Sequence, residues 1–473
     1  LAENEALFQE KRQMIIGYLS LASAAFLIAF TVKRGRLVLH KLAINSVGLL
    51  NVMLKQTDED THIKNVEQAT TKLLFSLLKT IALFAVGILL SFFPMGILYS
   101  IDPEIYGNLK LQSFYSIAAI SIGATIPFFI PSKRNKLNSY SELQQLLHYL
   151  VLENFEIGKK LFAIEKKSQS TEPTHNVKQF VIVSGLARAG TTSLMNKLAV
   201  YDIFATLSYA NMPLLMAPNL WRKFYNPKTK TVKERSHKDG IRIGLNSNEA
   251  LEEYFFKAIT TDRFIAENKL LVHELSADEY EQYLAYQNVI RQKESQFYLA
   301  KNNNFLLRYK SFRVLNDSFV MVIMFREPLT HALSLLDKHQ SFSALQKEDP
   351  FVLDYMNWLG HHEFGINHMP FEFENHSETN SFSLHDINYW IMVWINYYEY
   401  AIQSNHPNTI FICYEEYCAN PSIAVNSIIK KLALPAPPSN DLPFTNRRDN
   451  RIDCNAELFE RAQSIYKALT ELT

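Results

Sequence analysis

Cysteine is scarce: Cys413, Cys418 and Cys454 are the only three in 473 residues. An odd number without ligand spacing argues against a disulfide framework or a zinc site and suits a reducing compartment. A charge excess is missing as well. Forty-eight Lys and Arg against 47 Asp and Glu leave a net charge of +1. No basic patch is interleaved with aromatics, so no nucleic-acid partner is expected. There is no internal repeat, no low-complexity tract and no HExxH pattern. His361-His362-Glu363 is dense in potential ligands, but adjacent helical residues diverge by about 100° and do not readily share an ion. That cluster reads as a packed or substrate-lining helix, and no metal is expected. Leu1 stands where a starting methionine would be, so the true start is expected upstream.

Charge is also absent from three long stretches, residues 13–32, 80–101 and 111–132. Each approaches the ~20 residues that span a hydrocarbon core. Three in succession predict a membrane-inserted helical region over residues 1–137; Pro94 and Pro127 fall where membrane helices tolerate kinks. Lys33, Arg34 and Arg36 follow the first span, Lys72 and Lys79 precede the second, and Lys133, Arg134 and Lys136 follow the third. The loop around Asp102 and Glu104 holds only Lys110. The positive-inside rule then puts the start outside and the remainder of the chain in the cytoplasm. Leu37–Leu54, interrupted by His40 and Lys41, is expected as an interfacial helix or shallow hairpin. Residues 138–175 read as a connector, because Leu143, Leu146, Leu147, Leu150, Val151 and Phe155 follow helical spacing.

A lysine is missing from the most informative stretch, Phe180-Val-Ile-Val-Ser-Gly-Leu-Ala-Arg-Ala-Gly-Thr-Thr-Ser-Leu194. It reads as a buried strand, a loop bounded by Gly185 and Gly190, and a helix opening at Thr191. The glycines have P-loop spacing, but Thr191 occupies the lysine position and Arg188 lies within the loop. Backbone N–H groups at the helix start, with the hydroxyls of Thr191, Thr192 and Ser193, suit a phosphate. Without the lysine, triphosphate binding loses its main cation. A second apolar run, Val320–Phe325, ends in Arg326-Glu-Pro-Leu-Thr-His-Ala-Leu-Ser334, with a helix expected from Pro328. Ligands of open α/β sheets bind beyond the strands' carboxyl ends, so Arg326 should face the same crevice as the loop. Ser334, two turns into the helix, is placed to share an anion with it.

The pair GLARAGTTSL and REPLTHALS resembles the motifs of sulfotransferases that use 3′-phosphoadenosine-5′-phosphosulfate. The resemblance covers residues 176 to 435 and is closest to the bacterial and Golgi-type branch, whose loop carries Arg where cytosolic enzymes carry Lys. It implies a 5′-phosphosulfate loop of Gly185, Arg188, Ala189, Gly190, Thr191, Thr192 and Ser193, and a 3′-phosphate grip of Arg326 and Ser334. Lys301, in Lys301-Asn-Asn-Asn, is similar to the family's lysine segment. Ala187 and Ala189 depart from the commoner Pro and Ser. The C-terminal cofactor segment has no clear match; Arg447, Arg448 and Arg451 are candidates for it. The implied fold is an α/β, P-loop-like three-layer sandwich with a central parallel sheet, occupying residues 176–473 behind the transmembrane region. The late strand Thr409–Cys413 and the helix over 423–432 fit that alternation.

The implied activity is transfer of a sulfuryl group to a hydroxyl or amine of a glycan, glycolipid or other small acceptor. Negative charge builds on the leaving phosphate oxygen, and Arg188 and Lys301 are the cations assigned to it. A base must take the acceptor's proton. Glu249, in the first turn of a helix capped by Asn246 or Ser247, leads the candidates, with Glu253 and His237 behind it. His339 and Gln340 are candidates to line the acceptor cleft. The aromatic run Tyr389, Trp390, Trp394, Tyr397 and Tyr398 reads as a helical core stripe in preference to a sugar-stacking surface. An integral protein of a bacterial inner membrane is expected, with its catalytic domain cytoplasmic. The alternatives are an ATP-using P-loop kinase and a non-catalytic membrane nucleotide-binding protein.

Overall fold

The computed structural model describes residues 2–54, 58–130, 141–168, 178–225, 233–234, 242–243, 250–373, 382–435, 443 and 453–473. The chain divides into two compact units, Leu1–Leu150 and Val151–Thr473.

The first unit is helical: α1 (Ala2–Leu54), α2 (Glu59–Ile101), α3 (Pro103–Asn108) and α4 (Phe114–Phe129), with α5 (Glu142–Leu152) at the boundary. Two helical segments, Met14–Leu54 and Glu59–Ile101, are long and apolar enough to cross a membrane by length and composition. Their apolar side chains point outward, as with Leu89 at 70% and Phe92 at 68% exposure. α4 has 16 residues, which gives it a length of about 24 Å, short of a ~30 Å hydrocarbon core. α2 runs antiparallel to α1, with Gly87 on Thr31 and Gly35 on Phe84. α4 runs parallel to α1, and a Cβ at Gly123 would lie 2.0 Å from the Ala22 carbonyl oxygen. Small residues let apolar helices approach this closely. Lys33 Nζ donates to the Pro127 carbonyl at 2.7 Å and to that of Ile130, so a cation satisfies the carbonyls at the end of α4.

Leu37–Leu54 is not a separate interfacial helix. It is the last third of α1, because it holds no proline, and Lys41 lies on the exposed face. Asn45 Nδ2 donates to the Lys72 carbonyl at 3.4 Å and ties this third to α2.

The second unit opens with α6 (Phe155–Ser168). The single amphipathic helix expected from Leu143 to Phe155 is therefore two. Asn154 breaks it, its Oδ1 accepting from the Glu156 N–H at 3.1 Å at the start of α6. The chain then runs β1 (Phe180–Ser184), α7 (Thr191–Leu198), β2 (Phe204–Ala205), α8 (Pro218–Phe224), β3 (Lys233–Glu234), β4 (Arg242–Ile243), α9 (Glu253–Thr260), β5 (Leu270–Leu271), α10 (Ala277–Ile290) and β6 (Phe297–Lys301). It continues through α11 (Tyr309–Leu315), β7 (Val320–Phe325), α12 (Pro328–Glu348), α13 (Pro350–Trp358), β8 (Phe371–Glu372) and α14 (Ile387–Gln403). It ends with β9 (Thr409–Cys413), α15 (Tyr414–Ala419), α16 (Pro421–Lys431) and α17 (Ala456–Thr470).

The central sheet has the order β2-β6-β1-β7-β9, and every pairing is parallel. Helices flank it, giving the three-layer α/β architecture. The middle strands are apolar along their whole length because both faces are covered, and Phe180 to Val183 are fully buried. Register sets the site. Val183 pairs with Lys301 and Ser184 with Ile323, so β1, β6 and β7 release the loop, Lys301 and Arg326 at one edge.

Candidate functional site

The loop leaves β1 at Gly185, whose φ is +136° and where a Cβ would meet the Met324 carbonyl oxygen at 2.4 Å. It closes at Gly190, φ +95°, where a Cβ would lie 2.4 Å from Tyr414 Cδ2. Only glycine fits either place. Gly190 is the N-cap of α7. Its missing side chain leaves the first N–H groups of the helix, at Thr191 and Thr192, for an anion. Arg188 between the glycines is itself left-handed, φ +74°, a strain of roughly 1–2 kcal/mol for a residue with a Cβ.

Arg188 Nε donates to Ser334 Oγ at 3.3 Å. The arginine of the loop and the serine of α12, 146 residues apart, therefore meet at one point. Arg326 is 9% exposed, its guanidinium 4.9 Å above the Tyr414 ring and its Nε 4.0 Å from Glu415 Oε1. Burial lowers its pKa and Arg188 adds to that, against Tyr414 and Glu415. Two guanidinium groups that repel each other in a half-dry crevice are stabilised by an anion between them. This arrangement fits a phosphorylated ligand.

On the other side of the loop, Lys301 Nζ donates to Thr192 Oγ1 at 2.8 Å. Asn302 N–H continues the strand to the Val183 carbonyl at 3.0 Å. Ser193 Oγ and Tyr417 OH are 3.2 Å apart, so α15 holds the start of α7. Gly185, Arg188, Ala189, Gly190, Thr191, Thr192, Ser193, Lys301, Arg326 and Ser334 all lie along this one edge of the sheet.

The candidate bases fare differently. Glu249 and His237 lie outside the described residues, as do Arg447, Arg448 and Arg451. Glu253 is described, and both its oxygens are taken. Arg308 Nη1 and Nη2 donate to Oε2 and Oε1 at 2.7 and 2.6 Å, and Asn302 Nδ2 adds a bond at 2.9 Å. Glu253 and Arg308 are 2% and 1% exposed, and the guanidinium lies 4.1 Å over Phe256. This is a buried ion pair, so Glu253 is not available to accept a proton from a substrate. Its neighbour Glu252 accepts from Tyr283, Tyr298 and Asn302, yet burial outweighs those bonds and pushes its carboxyl up to about 7.

His361-His362-Glu363 is not helical. α13 stops at Trp358, and Gly360, φ +69°, turns the chain out of it. His361 Nε2 lies 2.7 Å from the Ala250 carbonyl and His362 Nδ1 2.9 Å from that of Asn367. Among the described residues, no group of three or more His, Cys, Asp or Glu side chains is arranged to hold a metal. His339 is buried, its ring centroid 5.3 Å from that of Trp390, while Gln340 is exposed. The aromatic run of α14 is core: Tyr389 is 4% exposed and Trp390, Trp394, Tyr397 and Tyr398 are fully buried. Two of these side chains hold β7 in place, Trp394 Nε1 donating to the Arg326 carbonyl at 3.2 Å and Tyr398 OH to that of Met324 at 2.8 Å.

No protein-family model matches the chain, and no curated protein does. Among solved structures it is similar to a sulfotransferase from Alicyclobacillus acidocaldarius, at 12% identity and a TM-score of 0.31, over 62% of this chain and 96% of that one. It is also similar to sulfotransferase STF1 from Mycobacterium tuberculosis, at 12% and 0.34, over 70% and 84%. A third is sulfotransferase STF9 from Mycobacterium avium, at 10% and 0.35, over 71% and 80%. At these identities the functional reading rests on the residues of this chain.

Three contributors escape a reading of motifs. His331, fully buried, has Nε2 2.8 Å from the Ala187 carbonyl. Burial, then Arg326 and Arg188, push its pKa down to about 3 against that bond, so a neutral ring donates to the loop and fixes its crest. Tyr414 and Glu415, the first residues after β9, wall the crevice beside Arg326. His331 stands inside the REPLTHALS segment, where the available signal is a polar residue one turn past Pro328. Tyr414 and Glu415 carry no signal before the strand order is known.

Proposed function

We propose that this chain is a membrane-anchored sulfotransferase. Its donor is 3′-phosphoadenosine-5′-phosphosulfate, and its acceptor is a hydroxyl or amine of a glycan, a glycolipid or another amphiphile. The observation that carries this reading is the convergence of Arg188, Arg326 and Ser334 at a phosphate loop that lacks the ATP-binding lysine. In ATP-using loops Mg²⁺ is held by the loop hydroxyl and a carboxylate at the end of a neighbouring strand. Here the adjacent strand β7 is followed directly by Arg326, which favours a second phosphate over a metal.

The donor supplies an activated sulfuryl group. The N–H groups opening α7 and the hydroxyls of Thr191, Thr192 and Ser193 hold its 5′ end. Arg326 and Ser334 hold the 3′-phosphate and set the register of the nucleotide. Arg188 and Lys301 stand where the leaving phosphate gains charge, and fixed cations act most strongly there. The apolar helices of the first unit anchor the protein in a bacterial inner membrane. The cations beside the apolar stretches, Lys33, Arg34, Arg36, Lys72 and Lys79 with Lys133, Arg134 and Lys136, support a catalytic unit on the cytoplasmic side, where the donor is made.

Titration calorimetry on the detergent-solubilised full chain tests the nucleotide class. Adenosine 3′,5′-bisphosphate is expected to bind at least ~10-fold more tightly than adenosine 5′-monophosphate, as two charge-assisted bonds to one phosphate require. Arg326→Ala should erase that preference. Tighter binding of ATP than of the bisphosphate would overturn the reading.

A further inference from the structure

The turn at Gly360 carries Glu363 to the same end of β6 as Lys301. Asn303 Nδ2, two residues beyond Lys301, donates to Glu363 Oε1 at 2.9 Å. Asn303 is 4% exposed, and its Oδ1 has no hydrogen-bond partner among the described residues. A buried amide oxygen left this way costs on the order of 1–3 kcal/mol, which a ligand N–H or O–H recovers. The carboxylate and this oxygen thus form a pair of acceptors beside the lysine that touches the phosphate loop. Burial acts to raise the pKa of Glu363, but His361, its own N–H, Asn303 and Lys301 outweigh it and hold the group ionised. Among the described residues, the titratable and charged groups facing it are Lys301 from β6 and His361, His362 and His368 from its own loop.

We propose that Glu363 takes the proton of the sulfated hydroxyl or amine, while Asn303 Oδ1 accepts a second hydrogen bond from the same acceptor. This rests on the sulfotransferase reading. The acceptor oxygen or nitrogen forms its bond to sulfur as the bond from sulfur to the donor phosphate oxygen breaks. The phosphate leaves with the electron pair, facing Arg188 and Lys301, and the acceptor's proton passes to a Glu363 oxygen. A low carboxylate pKa is no obstacle in a loose transition state, because the attacking atom gains acidity late; the catalytic aspartate of kinases works the same way. Donor charge beside Lys301 also raises Glu363 toward its ordinary value. The two acceptors, Glu363 and Asn303 Oδ1, favour an acceptor rich in donors, a polyol or amino-polyol.

The test uses native membranes holding the full chain, supplied with ³⁵S-labelled donor, and follows label entering lipid or polymer from pH 4 to 9. Glu363→Gln should lower transfer about 10²–10³-fold, within the usual range for loss of a general base, with bisphosphate binding unchanged. The wild-type rate should climb through the acid range to a plateau as Glu363 ionises, and the residual rate of Glu363→Gln should lack that climb. Transfer by Glu363→Gln within about 3-fold of wild type, or an unchanged acid limb, overturns the proposal. A wild-type chain that binds no bisphosphate and transfers no label removes the sulfotransferase reading itself, and this proposal with it.

Discussion

Arg188→Ala is expected to lower the turnover of sulfuryl transfer about 10²–10³-fold, the usual cost of removing one preplaced electrostatic partner from a developing anion. The loop around it should survive, because its path is set by Gly185, Gly190 and the His331 bond to the Ala187 carbonyl. Replacing a left-handed arginine by alanine leaves that strain in place, so the thermal midpoint should move little. Arg188 also touches Ser334, and bisphosphate binding should therefore weaken, by much less than turnover falls. Arg188→Lys restores a point charge without the planar fork and should recover only part of the rate. Steady-state kinetics with labelled donor separate the terms: a fall confined to the donor KM would mean that Arg188 binds the ground state and the transition state alike.

The second large effect concerns stability. Arg308→Met should destabilise the second unit by about 3–5 kcal/mol, the usual result of stranding one member of a buried ion pair. Glu253 would be left 2% exposed beside Glu252, with Asn302 as its remaining partner in the cluster. For a unit of this size the loss corresponds to a drop of roughly 4–8 °C in the thermal midpoint. The double variant Arg308→Met with Glu253→Gln removes both charges and should recover more than half of it. Thermal denaturation of wild type, Arg308→Met, Glu253→Gln and the double variant in one detergent measures the coupling. A single variant as stable as wild type would show that the pair contributes nothing to stability.

The path of the glycine-bounded loop was legible because its geometry is local. Two glycines at fixed spacing, an apolar strand before them and hydroxyls after them dictate one backbone path, and Arg188 can be read inside it. Arg326 and Ser334 were legible for the same reason, since Pro328 marks a helix start and eight residues make about two turns. The parallel sheet followed from continuous apolar strands separated by helices. Contacts set by long-range register were not legible. Lys301 meets Thr192 only because Val183 pairs with it, and Tyr414 reaches the loop only because β9 lies beside β7. Glu253 stood behind Glu249 as a candidate base because an acidic residue on a helix carries no mark of its distant partner. Arg308 lies 55 residues away, and the sequence alone does not join them. His361 to Glu363 were read with helical spacing because Gly360, the stop signal, sits in a run otherwise compatible with helix. α1 was divided in two because His40 and Lys41 interrupt its apolar run, although charges on an exposed face do not end a helix.

The most direct measurement supplies the solubilised full chain, together with a total membrane extract, with ³⁵S-labelled 3′-phosphoadenosine-5′-phosphosulfate in one reaction and γ-³²P-labelled ATP in another. A sulfotransferase moves ³⁵S into an extractable product, with stoichiometric release of adenosine 3′,5′-bisphosphate, and leaves ³²P on ATP. Movement of ³²P with ³⁵S left on the donor would contradict that assignment and make the loop an ATP site despite its missing lysine.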